Sequence, residues 1–158
     1  MKTIGLIGGM SWKSSAEYYR IINNSVNKRL GGLHSAKILM YSFDFAEIEK
    51  LQHDNKWEKA TNLMINAAKQ LEKANADFIL IYTNTMHKMA EDVTKNINIP
   101  LLHIVDATAE KAKAKDTEKI GLLGTKFTME QDFYKDRLKK YGIDTLISNE
   151  SQREIVHN

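Results

Sequence analysis

The chain has 158 residues, of which 42% are hydrophobic and 27% charged, with a formal net charge of +3. That mixture belongs to a soluble globular protein with room for one compact domain or two small halves sharing a core, and it excludes the disordered and fibrous classes. Cysteine is absent, which removes disulfides, thiolate metal sites and cysteine nucleophiles from the chain.

The mild excess of positive charge is scattered. Its densest cluster, Lys111, Lys113 and Lys115, is flanked by Glu110, Asp116 and Glu118. It reads as the solvated face of a helix rather than a nucleic-acid footprint, so no nucleic-acid partner is expected. No apolar run approaches the roughly 18 residues of a membrane span, so no membrane partner is expected either. The short apolar start is broken by Gly8-Gly9 before a signal-peptide core forms, which makes a cytoplasmic location the expectation.

In chain order, Ile4 to Ile7 reads as a buried strand closed by Gly8-Gly9. Ser14 and Glu17 have capping-box spacing at the start of a helix whose apolar face is Tyr18, Ile22 and Val26, ended by Leu30-Gly31-Gly32. Lys37 to Phe43 is a second strand. Asp44 caps a short helix with Phe45, Ile48 and Leu51 inward, and a longer helix carries Trp57, Ala60, Met64, Ala67 and Leu71 at three- and four-residue steps. Phe78 to Tyr82 reads as a central parallel strand ending in Thr83-Asn84-Thr85, with a helix from His87 to Asn96.

Pro100 opens a strand over Leu101 to Val105, and Asp106 caps a Lys/Ala-rich helix. Ile120 to Leu123 is a strand closed by Gly124-Thr125. Thr128, with Gln131 in the capping-box position, starts a helix that ends at Tyr141-Gly142. Thr145 to Ser148 is the last strand, and Glu150 to Asn158 begins another helix. Alternation of this kind implies an α/β fold, a parallel sheet with helices on both faces, joined by right-handed crossovers. The apolar-run, glycine-loop, helix pattern of the first strand recurs at Leu123-Gly124-Thr125, which suggests two similar α/β halves divided between Pro100 and Asp106.

Ligands of open parallel sheets sit at the carboxyl ends of the strands and at helix N-termini. Three loops lie at such ends: Gly8 to Trp12, Thr83 to Thr85, and Gly124 to Thr128. Their backbone N–H groups, hydroxyls and amides suit a carboxylate or phosphate. The same residue types also serve as plain caps and turns, so both readings stand at this point. The glycines lack dinucleotide and P-loop spacing. The five histidines, His34, His53, His87, His103 and His157, have no metal-ligand spacing, so no metal is expected. His87 follows the Thr83–Thr85 turn and reads either as a cleft residue or as a structural one. No serine sits in a nucleophile elbow.

Taken together, Ile4-Gly5-Leu6-Ile7-Gly8-Gly9-Met10-Ser11-Trp12, Gly31-Gly32-Leu33-His34-Ser35, Tyr82-Thr83-Asn84-Thr85-Met86-His87-Lys88, Leu123-Gly124-Thr125 and Thr128 to Tyr134 resemble the signature segments of the aspartate/glutamate racemases. They follow in order along essentially the whole chain and correspond to the N-terminal two-thirds of such an enzyme.

The resemblance implies a PLP-independent isomerase that needs no cofactor, takes an amino acid of the aspartate or glutamate class, and has its active site between two similar halves. These would be residues 1–105 and an incomplete second half, 106–158. In the family, one cysteine from each half flanks the α-carbon, because racemisation removes a weakly acidic proton from one face and returns one to the other. A thiolate whose pKa is lowered at a helix N-terminus suits that task, and donors around the carboxylate stabilise the developing charge.

Carried over by residue, the resemblance puts the first cysteine at Tyr82. The Thr83, Asn84 and Thr85 turn would hold the α-carboxylate, with Met10 and Ser11 lining the pocket, Gln52 near the substrate side chain and Thr125 in the matching loop. The second cysteine would lie beyond residue 158.

Tyrosine, with an ordinary pKa of about 10, is a poorer base than a thiol at neutral pH. One reading is that Tyr82 fills part of the pocket and abolishes two-base racemisation. The other is that it is a strand-end residue packing against helix neighbours. Two functions of different class follow: an amino-acid racemase homologue with impaired proton transfer, or a non-catalytic binding module (or decayed fragment) for a dicarboxylate amino acid. An incomplete second half would leave an open sheet edge and an uncovered apolar face. That favours a homo-oligomer (dimers are common among such enzymes), a separately made remainder, or marginal stability.

Overall fold

The computed structural model describes residues 1–157, apart from the side chain of His157; that side chain and Asn158, the end of the expected last helix, lie outside the described residues. The chain divides into two compact units. The first comprises Met1–Thr83 and Met89–Leu102, the second Asn84–Lys88 and His103–Asn158.

Strands β1 (Thr3–Gly8), β2 (Lys37–Ser42) and β3 (Phe78–Ile81) form the parallel sheet of the first unit in the order β2-β1-β3. Thr3 pairs with Lys37, and Ile4 with Ile38 and Phe78. The middle strand is the most buried, with Leu6 and Ile7 fully enclosed, as a strand covered on both faces requires. Instead of the expected strand over Leu101 to Val105, a single bridge joins Leu101 to Ile79. The chain leaves the sheet at once, because helix α5 (Ile104–Lys113) begins two residues after the Leu102 N–H bonds Ile79.

Helix α1 (Trp12–Leu30) starts ahead of the expected Ser14. Ser11, at φ 123°, occupies the cap position without a side-chain cap bond, and its carbonyl accepts from the Ser15 N–H at 3.1 Å. The capping box does not form, since Glu17 instead binds Arg20 through both carboxylate oxygens. Tyr18, Ile22 and Val26 are half-buried.

Helix α2 (Phe45–His53) has the expected Asp44 cap, whose carboxylate accepts from the Ala46 N–H at 3.1 Å. Ile48 is fully buried but Phe45 is exposed, so the inward face is narrower than its spacing suggests. Asp44→Ala is expected to lower stability by about 1 kcal/mol, seen as a reduced urea midpoint at unchanged slope. Helix α3 (Trp57–Lys73) buries Ala60, Met64, Ala67 and Leu71 as read from their periodicity, together with Ala68.

After β3 the expected single helix is split into a 3₁₀ turn, Thr85–Met89, and the short α4 (Ala90–Thr94).

In the second unit, β4 (Lys119–Gly121) pairs parallel with β5 (Asp144–Leu146). Around them lie α5, α6 (Lys126–Glu130), α7 (Asp132–Lys139) and α8 (Glu150–His157). Val105, Ala109, Leu122, Tyr134, Leu138 and Ile143 form its core. Leu123 and Leu146 are more than half exposed, and an open apolar groove of about 500 Å³ runs along α5 and β4 past Ile104, Ala112 and Ile120.

Two further caps differ from the sequence reading. His103, not Asp106, caps α5 by accepting the Val105 N–H. Thr125, not Thr128, caps α6, and Thr128 supplies the N–H. Gln131 sits at the cap of α7.

Candidate functional site

Within the first unit, the carboxyl ends of β1 and β3 meet through backbone contact, since the Tyr82 N–H donates to the Ile7 carbonyl at 2.9 Å. The loop after β1 turns sharply, with Gly9 at φ +85° and Ser11 at φ 123°. Ser15, buried on α1, fixes this loop: its Oγ accepts from the Gly9 N–H at 2.9 Å and donates to the Ser11 carbonyl at 3.3 Å. By residue type and spacing Ser14, not Ser15, is the expected cap. The available signal was its position one helical turn after Ser11, where a hydroxyl reaches back to the i−4 carbonyl.

Tyr82 is 3% exposed, and its ring stacks on Tyr18 with centroids 4.2 Å apart at 23°. A Cβ at Gly8 would come 3.2 Å from its Cδ2, so the absence of a side chain there lets the ring lie close to the strand. Among the described residues the Tyr82 hydroxyl has no hydrogen-bond partner. Burial, with the Tyr18 phenol as a lesser cause, pushes its pKa above the ordinary 10.0.

Of the other first-unit residues singled out by sequence, Met10 is buried, Thr83 half-buried and Ser11 exposed. Gln52 is half-buried near the end of α2.

The second unit brings together residues far apart in sequence. Thr85 is buried, and its Oγ1 lies 2.9 Å from Thr125 Oγ1 and 3.4 Å from Thr128 Oγ1. Thr125 and Thr128 are 3.2 Å apart. Each hydroxyl has one proton and two lone pairs, so this triangle can satisfy itself or turn donors toward an anion. The exposed Asn84 contributes its carbonyl to the His87 N–H at 3.1 Å.

Beside this triangle in the chain, the buried rings of His87 and His103 meet edge-on at 4.5 Å. Each accepts a backbone N–H of α5: His87 Nε2 from Ile104 and His103 Nδ1 from Val105, both at 3.2 Å. His87 is thereby placed in the second unit as a buried acceptor, and no spacing along the chain marks His103 as its partner. Asp106, in the first turn of α5, is gripped by Arg137 at 2.6 and 2.7 Å. That guanidinium holds the carboxyl below its usual range. Among the described residues no group of three or more His, Asp or Glu is arranged to hold a metal ion.

In the second unit the threonine hydroxyls offer donors that suit a carboxylate; in the first, Tyr82 presents a buried phenol whose ionisation burial disfavours.

The Asp/Glu/hydantoin racemase family matches residues 7–157. The chain is 27% identical over 157 residues to the broad specificity amino-acid racemase RacX of Bacillus subtilis (strain 168), covering 96% of this chain and 67% of that protein. A crystal structure of a Yersinia pestis protein assigned as an Asp/Glu racemase superposes with a TM-score of 0.94 at 53% identity, covering 99% of this chain and 69% of that one. An aspartate racemase homologue from Pyrococcus horikoshii OT3 superposes with a TM-score of 0.87 at 34% identity, with the same coverage.

Proposed function

The chain belongs to the Asp/Glu/hydantoin racemase family, and from that premise we propose that it binds a dicarboxylate amino acid of the aspartate or glutamate class without carrying out two-base racemisation. In the second unit, the donors of Asn84, Thr85 and Thr125 take a carboxylate. In the first, Met10, Ser11, Gln52 and Thr83 are further substrate contacts. As for other members of the family, no cofactor enters this reading.

The observation that carries it is the state of Tyr82. Abstracting an α-proton requires a group that is ionised near neutral pH and has room for substrate beside it. A phenol with a pKa of 10 is ionised only about one part in a thousand at pH 7, and burial lowers that fraction here. The ring is also packed face to face against Tyr18, in a position where substrate would need space. A thiolate at that position would be small and ionisable, and the phenol is neither.

The test is NMR of L- and D-aspartate and glutamate in D₂O with the purified chain. No α-proton exchange above the blank is expected, whereas calorimetric titration with aspartate should show binding. Exchange that exceeds the blank and disappears in Tyr82→Phe would make Tyr82 a working base and defeat the proposal.

A further inference from the structure

The two buried imidazoles perform a task that sequence rules assign to Asp, Ser or Thr. The first N–H groups of a helix lack intrahelical partners, and those of Ile104 and Val105 at the start of α5 are taken by His87 Nε2 and His103 Nδ1. His87 comes from the 3₁₀ turn that also carries Thr85, and His103 additionally bonds the His87 backbone. The turn is therefore tied to α5 by His87 Nε2, which accepts from Ile104, and by the His103 ring, which bonds the His87 backbone. The bonds accepted from Ile104 and Val105 demand an unprotonated nitrogen, because a protonated imidazole has only donors. Protonation would set N–H against N–H at the positive end of a helix dipole.

We propose that His87 and His103 form an acid-sensitive latch that holds the Thr85 turn against α5, so that acidification releases the turn and weakens carboxylate binding. His87 is then a positioning residue for Thr85. The effect on binding rests on the proposed role of Thr85, whereas the latch itself does not.

The surrounding groups set the direction. Burial, the neighbouring His87 ring and Arg137 on α7 push His103 from its usual 6.5 down to about 3, while Asp106 pulls the other way. Asp106 is itself engaged by Arg137 and by the Tyr141 hydroxyl, so its charge is largely committed. Lys88, next to His87 in the 3₁₀ turn, adds a further positive group, with its ammonium disfavoured by burial.

The sign follows from linkage. The latched form keeps His103 neutral down to about pH 3, whereas a released imidazole protonates near 6.5. Opening therefore takes up a proton throughout that window, and the latch loses stability as pH falls from 6.5. For one imidazole the opening equilibrium rises by at most about tenfold per pH unit.

The experiment uses the full chain labelled with ¹⁵N and reads hydrogen-exchange protection factors of the Ile104 and Val105 amides between pH 7.5 and 5, with aspartate titrations at pH 7.5 and 5.5. His87→Gln and His103→Asn each keep an acceptor oxygen near the lost ring nitrogen but cannot protonate.

Wild-type protection should fall by up to tenfold per unit below pH 6.5, and the double variant should show a flat profile. Aspartate affinity should weaken at pH 5.5 in wild type only. A flat wild-type profile overturns the latch without reference to any variant, as does an equal slope in a folded double variant. If the amides behave as expected but aspartate binds at neither pH, the carboxylate reading of Thr85 fails while the latch stands. If aspartate binds equally at both pH values although protection falls, the coupling to binding is overturned.

Discussion

Gly9→Ala is expected to cost the first unit about 3–5 kcal/mol, a large share of the stability of an ordinary domain. Two independent penalties add. Gly9 has φ +85°, a region that costs an L-residue roughly 1–2 kcal/mol. A Cβ there would also run into the backbone N and O of Phe43 and lie 2.8 Å from Ser42 Oγ. Backbone cannot step aside as a side-chain tip can, because the Phe43 N–H is bonded to the Gly8 carbonyl at 3.0 Å and continues the β1–β2 ladder that ends with Gly8 opposite Ser42. Relieving the overlap means opening that ladder at its carboxyl end, where Ser15 also holds the Gly9 N–H.

Both tryptophans, Trp12 and Trp57, belong to the first unit, so their fluorescence in urea reports on it directly. Gly121→Ala, in the second unit and followed by far-ultraviolet circular dichroism, serves as control, since nothing lies within 4 Å of a Cβ there and its φ is ordinary. It should fall within about 0.5 kcal/mol of wild type. A Gly9→Ala midpoint equally close to wild type would show that the β1–β2 corner yields freely.

The loop that makes Gly9 sensitive also marks where sequence reading succeeds and where it stops. The apolar runs at Ile4–Ile7 and Phe78–Tyr82 match β1 and β3, because a strand covered on both faces needs little beyond continuous hydrophobicity, whereas Ile120–Leu123 overlaps the half-exposed β4 only at Ile120 and Gly121. Asp44 was legible as a cap and Met64 and Ala67 as core, since these depend on neighbours within a few residues.

The failures have two causes. At Ser14 and Thr128 neighbours within one turn displace the expected cap, whereas at Asp106 a partner far away in sequence decides the matter. Asp106 is drawn to Arg137, 31 residues on, and the start of α5 is left to His103 and to a ring 17 residues before Ile104. At the candidate site, the strand-end loops could be found from pattern alone. The contact of Thr85 with Thr125 spans 40 residues and the stacking of Tyr18 on Tyr82 spans 64, and no local signal encodes either.

Tyr82 provides the second large effect, and its two truncations should differ in sign. Tyr82→Ala removes a ring that is 3% exposed and in face-to-face contact with Tyr18. The lost transfer energy, the residual cavity and the lost stack together amount to roughly 3–5 kcal/mol of destabilisation. Tyr82→Phe keeps the ring and the stack and removes only a buried hydroxyl without a partner among the described residues. An unsatisfied buried hydroxyl is a cost of about 1–3 kcal/mol in the native state, part of which is recovered when it is deleted. The phenylalanine variant should therefore be about 1 kcal/mol more stable than wild type, contrary to the usual direction of core substitutions. Urea unfolding of the three proteins followed by tryptophan fluorescence measures both effects. A Phe variant less stable than wild type by 1 kcal/mol or more would mean that the hydroxyl is satisfied in solution. A phenol that has acquired an acceptor at that strand end would be evidence that something in the site already recognises it.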